Sequence, residues 1–100
     1  MPNNGIYINK GSSAIGPVVY YIEGNKIHWG RNAIAPTHFY INGNNIHKGR
    51  SDIGPVVYFV EGNKIHQGRD ANAPTVFYIN GSKIHKGRSD IGPVVYYISK

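Results

Sequence analysis

Residues 18–29, with the sequence VVYYIEGNKIHW, predict a β-hairpin. β-Branched and aromatic residues flank the two-residue turn Gly24-Asn25, and glycine as the first central residue is typical of a type II′ turn. The turn sets the register of the two strands. The opposite pairs are then Glu23 and Lys26, Ile22 and Ile27, and Tyr21 and His28.

The same pattern recurs with a period of 19 residues, marked by Pro17, Pro36, Pro55, Pro74 and Pro93. Repeats one, three and five carry Gly-Pro-Val-Val-Tyr, whereas repeats two and four carry Ala-Pro-Thr, so the order is A-B-A-B-A. Regular repetition without insertions is typical of a repeat architecture. We predict one domain over residues 1–100, with repeats at 5–23, 24–42, 43–61, 62–80 and 81–99.

The predicted fold is all-β, with five tandem 19-residue β-hairpin repeats. The turns are expected at Gly24, Gly43, Gly62 and Gly81 and, in an atypical form, at Gly5-Ile6. An open hairpin stack or sandwich is favoured over a closed five-fold ring, because closure would place the first and last A repeats side by side and break the alternation. Isolated hairpins are marginally stable, so neighbours must pack together.

Alternation along the strands separates two faces. The predicted core face holds Val18, Tyr20, Ile22 and Ile27 and their equivalents. The opposite face is aromatic with polar edges, and it provides the candidate ligand-binding pairs. These are Tyr21 with His28, Tyr40 with His47, Phe59 with His66, and Tyr78 with His85. The alternative is that these pairs only pack against neighbouring residues.

Trp29 and the recurring arginines complete the candidate ligand-binding set, which includes Arg31, Arg50, Arg69 and Arg88. A guanidinium can hold a carboxylate or phosphate through two hydrogen bonds, or it can hold one repeat against the next. An exposed tryptophan can stack on a sugar or base, or it can cover an adjacent repeat.

Composition argues against catalysis. The acidic residues number only five, and no nucleophile motif, phosphate-binding loop or metalloprotease helix occurs. Histidines repeated every 19 residues would spread metal ligands along a line, whereas zinc requires them to converge. We therefore expect no enzyme activity, no catalytic residues, no metal site and no cofactor.

The net charge of +6 favours anionic partners. The chain lacks cysteine, a recognisable signal peptide and any apolar run near the ~20 residues of a membrane span. The compartment therefore stays open between the cytoplasm and release by a non-classical route.

The repeat unit resembles tandem repeats in short, uncharacterised bacterial proteins. In these proteins, an Ile-x-x-Gly-x-Ser segment is followed by Val-x-Tyr-x-Ile and then by Gly-Asn. In this chain, residues 84–89 match the first segment and residues 94–98 match the second. The β-flower type is one form of such proteins. The resemblance implies a symmetric hairpin assembly and no particular activity.

Near-identical sites on one scaffold favour a non-enzymatic multivalent binding module, lectin-like for carbohydrate or for another repetitive surface ligand. The expected partners are thus a glycan or another anionic or polar surface ligand, together with further copies in a homo-oligomer. The first alternative is a self-assembling structural repeat protein. The second is a nucleic-acid-binding protein, motivated by the positive charge and the interleaved tyrosines.

Overall fold

A computed structural model describes residues 5–100, and all regular structure within this range is β-strand. The strands are β1 (Ile6–Lys10), β2 (Val18–Glu23), β3 (Lys26–Trp29), β4 (Thr37–Asn42), β5 (Asn45–Lys48), β6 (Val56–Glu61), β7 (Lys64–Gln67), β8 (Thr75–Asn80), β9 (Lys83–Lys86) and β10 (Val94–Ser99). The predicted all-β class is confirmed.

The tight turns have the conformation expected from the sequence. Gly24, Gly43, Gly62 and Gly81 have φ angles between 58° and 64°, and no non-glycine residue in the described range has a positive φ. This combination fits a type II′ turn, in which only the first central residue is left-handed. The register predicted for β2 and β3 is confirmed at all three residue pairs.

The sheet closes into a ten-stranded antiparallel barrel, because β10 pairs with β1. The predicted open stack is therefore wrong, and so is the prediction of five hairpins. Tight turns join four strand pairs, whereas the fifth equivalent pair is formed by β1 and β10, the first and last strands. Ile6 begins β1, so Gly5-Ile6 is not a turn.

Closure brings the first and last A repeats together through the pairing of β1 with β10. The backbone contacts across this junction match those elsewhere in the barrel. The Gly11 N–H donates to the Val95 carbonyl at 2.9 Å, as the Gly49 N–H donates to the His38 carbonyl at 2.8 Å. Closure also pairs the two edge strands that an open stack would leave unpaired.

Antiparallel connectivity divides the barrel into two rims. The four tight turns, the start of β1 and the end of β10 lie at one end, the turn rim. The five longer connections lie at the other end, the loop rim. They comprise residues 11–17, 30–36, 49–55, 68–74 and 87–93. A β-bulge interrupts each strand pair that a longer connection joins, and bulges increase the local bend and twist. The molecule is a disc measuring 35 × 34 × 21 Å.

Candidate functional site

The barrel encloses a lumen with a cavity of about 300 Å³. Each repeat unit contributes three side chains to the wall of this lumen. The wall therefore has three layers, and each layer is a circle of five residues that we call a ring. The isoleucine ring is Ile8, Ile27, Ile46, Ile65 and Ile84; the aromatic ring is Tyr20, Phe39, Tyr58, Phe77 and Tyr96; and the aliphatic ring is Ile22, Ile41, Val60, Ile79 and Ile98.

The lumen lies where a packed core was predicted. Tyr20, Ile22 and Ile27, three residues of the predicted core face, line the cavity. An eight-stranded barrel is just wide enough for side chains to fill its interior, and the diameter increases with strand number. Ten strands therefore leave space that five equivalent sets of side chains do not fill.

Phenol groups are the polar component of this wall. Neighbouring residues of the aromatic ring are close together. The centroids of their side chains lie 6.3 Å apart for Tyr20 and Phe39 and 6.0 Å apart for Phe39 and Tyr58. Burial raises the pKa of the Tyr20 phenol above its ordinary value of 10.0, and the nearby Tyr96 and Tyr58 add to the rise. The lumen therefore favours the neutral, hydrogen-bonding form of this phenol.

We expect the free energy of unfolding to decrease as pH rises above about 10, because Tyr20 loses its proton more readily in the unfolded chain than in the barrel. The stabilisation is complete below the unfolded pKa and is lost as pH rises through the raised folded pKa. Denaturant unfolding from about pH 9 to about pH 11 measures this decrease. In Tyr20→Phe, which carries the residue type found at Phe39, the decrease should be smaller; an equal decrease would contradict the assignment to Tyr20.

The histidines on the outer face hold the longer connections in place. His28, His47, His66 and His85 are 5–7% exposed. In each, Nδ1 lies 2.8–2.9 Å from the backbone carbonyl oxygen of the residue seven positions later. A carbonyl only accepts, so Nδ1 carries the hydrogen. Each histidine thereby fixes the residue before the loop proline.

Asn9 makes the equivalent contact in β1. Its Nδ2 donates to the Gly16 carbonyl at 2.8 Å, and its Oδ1 accepts a hydrogen bond from the Ser99 hydroxyl at 2.7 Å. Asn9 is 2% exposed. The contact to the loop is thus present in every unit of the barrel, although the side chain that makes it differs.

The candidate Tyr–His pairs lie side by side as predicted, with centroids 6.1 Å apart for Tyr21 and His28 and 6.2 Å apart for Phe59 and His66. Tyr21 is 8% exposed, and burial raises the pKa of its phenol, with further contributions from Glu23 and Tyr7. Little of the Tyr21–His28 pair is accessible to a ligand. The remaining aromatic residues of this set are half-buried: Tyr40, Phe59 and Tyr78.

The comparisons with known proteins place the chain in a family. Residues 3–100 match the family model described as 6-fold beta flower protein. The chain belongs to this family. The resemblance seen in the repeats is thereby confirmed. No curated protein and no solved structure matches the chain.

Trp29 and the arginines lie at or beside the loop rim. Trp29 is 59% exposed, and its ring centroid lies 5.1 Å from that of His38. Within residues 5–100 the arginines are exposed and form no ion pair or hydrogen bond; they are Arg31, Arg50, Arg69 and Arg88. The predicted site set is therefore divided between an exposed rim and the aromatic–histidine pairs, whose histidines are buried and whose aromatic residues, apart from the buried Tyr21, are half-buried.

The described residues contain neither a cluster of metal ligands nor a membrane-spanning helix. No three potential metal ligands come together in residues 5–100. In the same range, no helix has the length and apolar character needed to cross a bilayer.

Sequence reasoning missed the lumen and the tips of the loop rim. Four isoleucines at equivalent loop positions are 91–94% exposed: Ile15, Ile34, Ile53 and Ile91. The sequence signal for these tips was an apolar residue that recurs among turn residues, directly before Gly-Pro or Ala-Pro. It could have identified these tips, because loop positions of this kind normally favour polar residues or glycine.

Proposed function

We propose that this chain is a non-enzymatic binding protein whose lumen holds a small apolar ligand with a polar group. The observation that carries this proposal is the cavity of about 300 Å³ that the three rings line. Ligand pockets start at about this volume and are mostly apolar, with a few polar groups that orient the ligand.

The aromatic ring supports both parts of this ligand description. Phe39 and Phe77 provide flat apolar contacts, whereas Tyr20, Tyr58 and Tyr96 add phenol hydroxyls that can donate or accept hydrogen bonds. A short acyl chain or an aromatic ring with a carbonyl or hydroxyl group fits this chemistry. A sugar fits it less well, because most of its hydroxyl groups would face hydrocarbon and lose their hydrogen bonds to water.

The wall also supports a role without catalysis. Of its fifteen residues, only the three tyrosines carry ionisable groups, and the rest are isoleucine, valine and phenylalanine. General acid–base catalysis needs a group with a pKa near the working pH. Burial moves the pKa of Tyr20 upward, further from neutrality.

The test is fluorescence titration with N-phenylnaphthylamine, a neutral dye whose emission increases in apolar surroundings. Val60 belongs to the aliphatic ring, whose other members are isoleucine. Val60→Trp should fill part of the lumen and weaken dye binding by about tenfold or more, equivalent to about 1.4 kcal/mol. Val60→Ile is the matched control and should bind like the wild type. A thermal melt of each variant checks folding. Equal dye binding by folded Val60→Trp would place the dye outside the lumen and contradict the proposal.

A second candidate is carbohydrate binding at the loop rim. It is favoured by the exposed Trp29 ring beside His38, because tryptophan can present an apolar face and an N–H group to a sugar. Trp29 is the single tryptophan of the chain, so its emission can be followed in wild-type titrations with neutral oligosaccharides. A change in Trp29 emission with sugar but no dye displacement would favour this candidate.

A further inference from the structure

The loop rim carries an apolar group at the tip of four of its five loops. These tip isoleucines, Ile15, Ile34, Ile53 and Ile91, are 91–94% exposed, and the remaining loop has Asn72 at the same position. Most side chains this exposed are polar, and isolated apolar ones occur singly. Here the exposure recurs at one structural position around one rim.

The loop architecture does not require isoleucine. In each loop, the backbone N–H of the tip residue donates to a side-chain oxygen two residues earlier, as from Ile15 to Ser13 at 3.3 Å and from Ile34 to Asn32 at 3.0 Å. Asn72 makes the same contact with Asp70 at 3.0 Å. The loop therefore forms equally well with asparagine at its tip, and local folding leaves the four isoleucines unexplained.

Charge accompanies these apolar tips. The loops and the strand residues directly before them contain seven of the eleven cationic side chains: Lys10, Arg31, Lys48, Arg50, Arg69, Lys86 and Arg88. The same segments contain three acidic residues, Asp52, Asp70 and Asp90. The loop rim thus has a net charge of +4, out of +6 for the whole chain.

From these features we infer that the loop rim docks on an anionic lipid bilayer, with the tip isoleucines in the interfacial region and the arginines and lysines at the lipid headgroups. Exposed apolar groups combined with basic residues are the pattern that binds anionic membrane surfaces. The inference is independent of the ligand proposed for the lumen.

Charge also decides between a bilayer and a second copy of the chain. Two loop rims brought face to face would oppose net positive charges. Stacking a loop rim on a turn rim would oppose positive charges too, because the side chains of the turn rim include four that are cationic and two that are acidic. Like charges across an interface are unfavourable, whereas an anionic surface complements both features of the loop rim.

The test is co-sedimentation with phosphatidylcholine vesicles, either pure or containing one third phosphatidylserine. The wild-type protein should bind the mixed vesicles, and binding should weaken as salt is raised. A combined variant replaces all four tip isoleucines with asparagine, the residue that the fifth loop has at its tip; the replaced residues are Ile15, Ile34, Ile53 and Ile91. We expect each replacement to weaken partitioning by about tenfold, so the combined variant should not sediment. Asn72→Ile adds the fifth tip isoleucine without changing the charge, and it should bind the mixed vesicles more tightly than the wild type.

The outcomes are distinct. The inference is supported if the wild type binds mixed vesicles, Asn72→Ile binds them more tightly, and the asparagine variant loses binding with an unchanged thermal melt. It is overturned by wild-type protein that stays in the supernatant, or by a folded asparagine variant that binds like the wild type. Vesicle-independent dimerisation that the asparagine substitutions abolish would overturn it in favour of a second copy. Dye binding in the lumen is measured separately, so either proposal can fail alone.

Discussion

Replacing His47 with alanine should lower the free energy of unfolding by about 2–4 kcal/mol. The imidazole is 7% exposed, and its Nδ1 lies 2.8 Å from the Gly54 carbonyl oxygen. Alanine leaves a cavity where the ring was and leaves that carbonyl without its partner. Denaturant unfolding followed by circular dichroism measures the change.

His47→Asn is the matched variant, because Asn9 occupies the equivalent position and donates to the Gly16 carbonyl in a loop of the same A type. We expect asparagine to keep the contact and to lose less than half as much stability as alanine. If both substitutions are equally destabilising, the packing of the imidazole ring matters and the hydrogen bond to the loop does not.

The local structure of this barrel could be predicted from the sequence. Residues 18–29 contain both the turn and the alternation that set the register, so the sequence alone places Tyr21 opposite His28, as the barrel has them. These features depend on residues close together in the chain. The pairing of β1 with β10 does not, because an exposed strand edge can pair with any other edge of matching length.

The character of the two faces was harder to predict. Alternation separates Ile22 and Tyr20 from Tyr21 and His28, but it does not determine whether the first pair packs a core or lines a cavity. That outcome depends on the barrel diameter, which follows from the number of strands that close. The role of His28 depends on the Ala35 carbonyl, seven residues further on, whose position is set by the loop conformation.

Glu61 illustrates the same limit. The register places it opposite Lys64, the pair equivalent to Glu23 and Lys26, yet its carboxylate forms no ion pair with that lysine in the described range. It lies instead 3.4 Å from Nε2 of His66. Register determines which backbone positions are opposite, whereas side-chain rotamers determine which polar groups approach one another.

Gly54→Ala should lower the free energy of unfolding by about 1–3 kcal/mol. A glycine-to-alanine change usually stabilises by about 0.4–1 kcal/mol where the backbone tolerates it, because it restricts the unfolded chain. Here the added Cβ would overlap the backbone carbonyl oxygen of Lys48. The φ angle of Gly54 is not left-handed. The overlap with the Lys48 carbonyl, and not backbone strain, therefore makes this substitution destabilising.

The B loops show how the barrel accommodates alanine at this position. Ala73 precedes the proline in the β7–β8 loop, where Gly68 has a φ of 152°, whereas Gly49 in the loop of Gly54 has a φ of 108°. The alanine side chain packs close to Gly68 in that loop. Gly54→Ala must therefore either strain the A loop or shift it toward the B conformation. Ala73→Gly is the control and should cost at most about 1 kcal/mol, since it creates no overlap. A Gly54→Ala variant at least as stable as the wild type in denaturant unfolding would show that the A loop converts freely, and the A-B alternation would then have no structural basis in these loops.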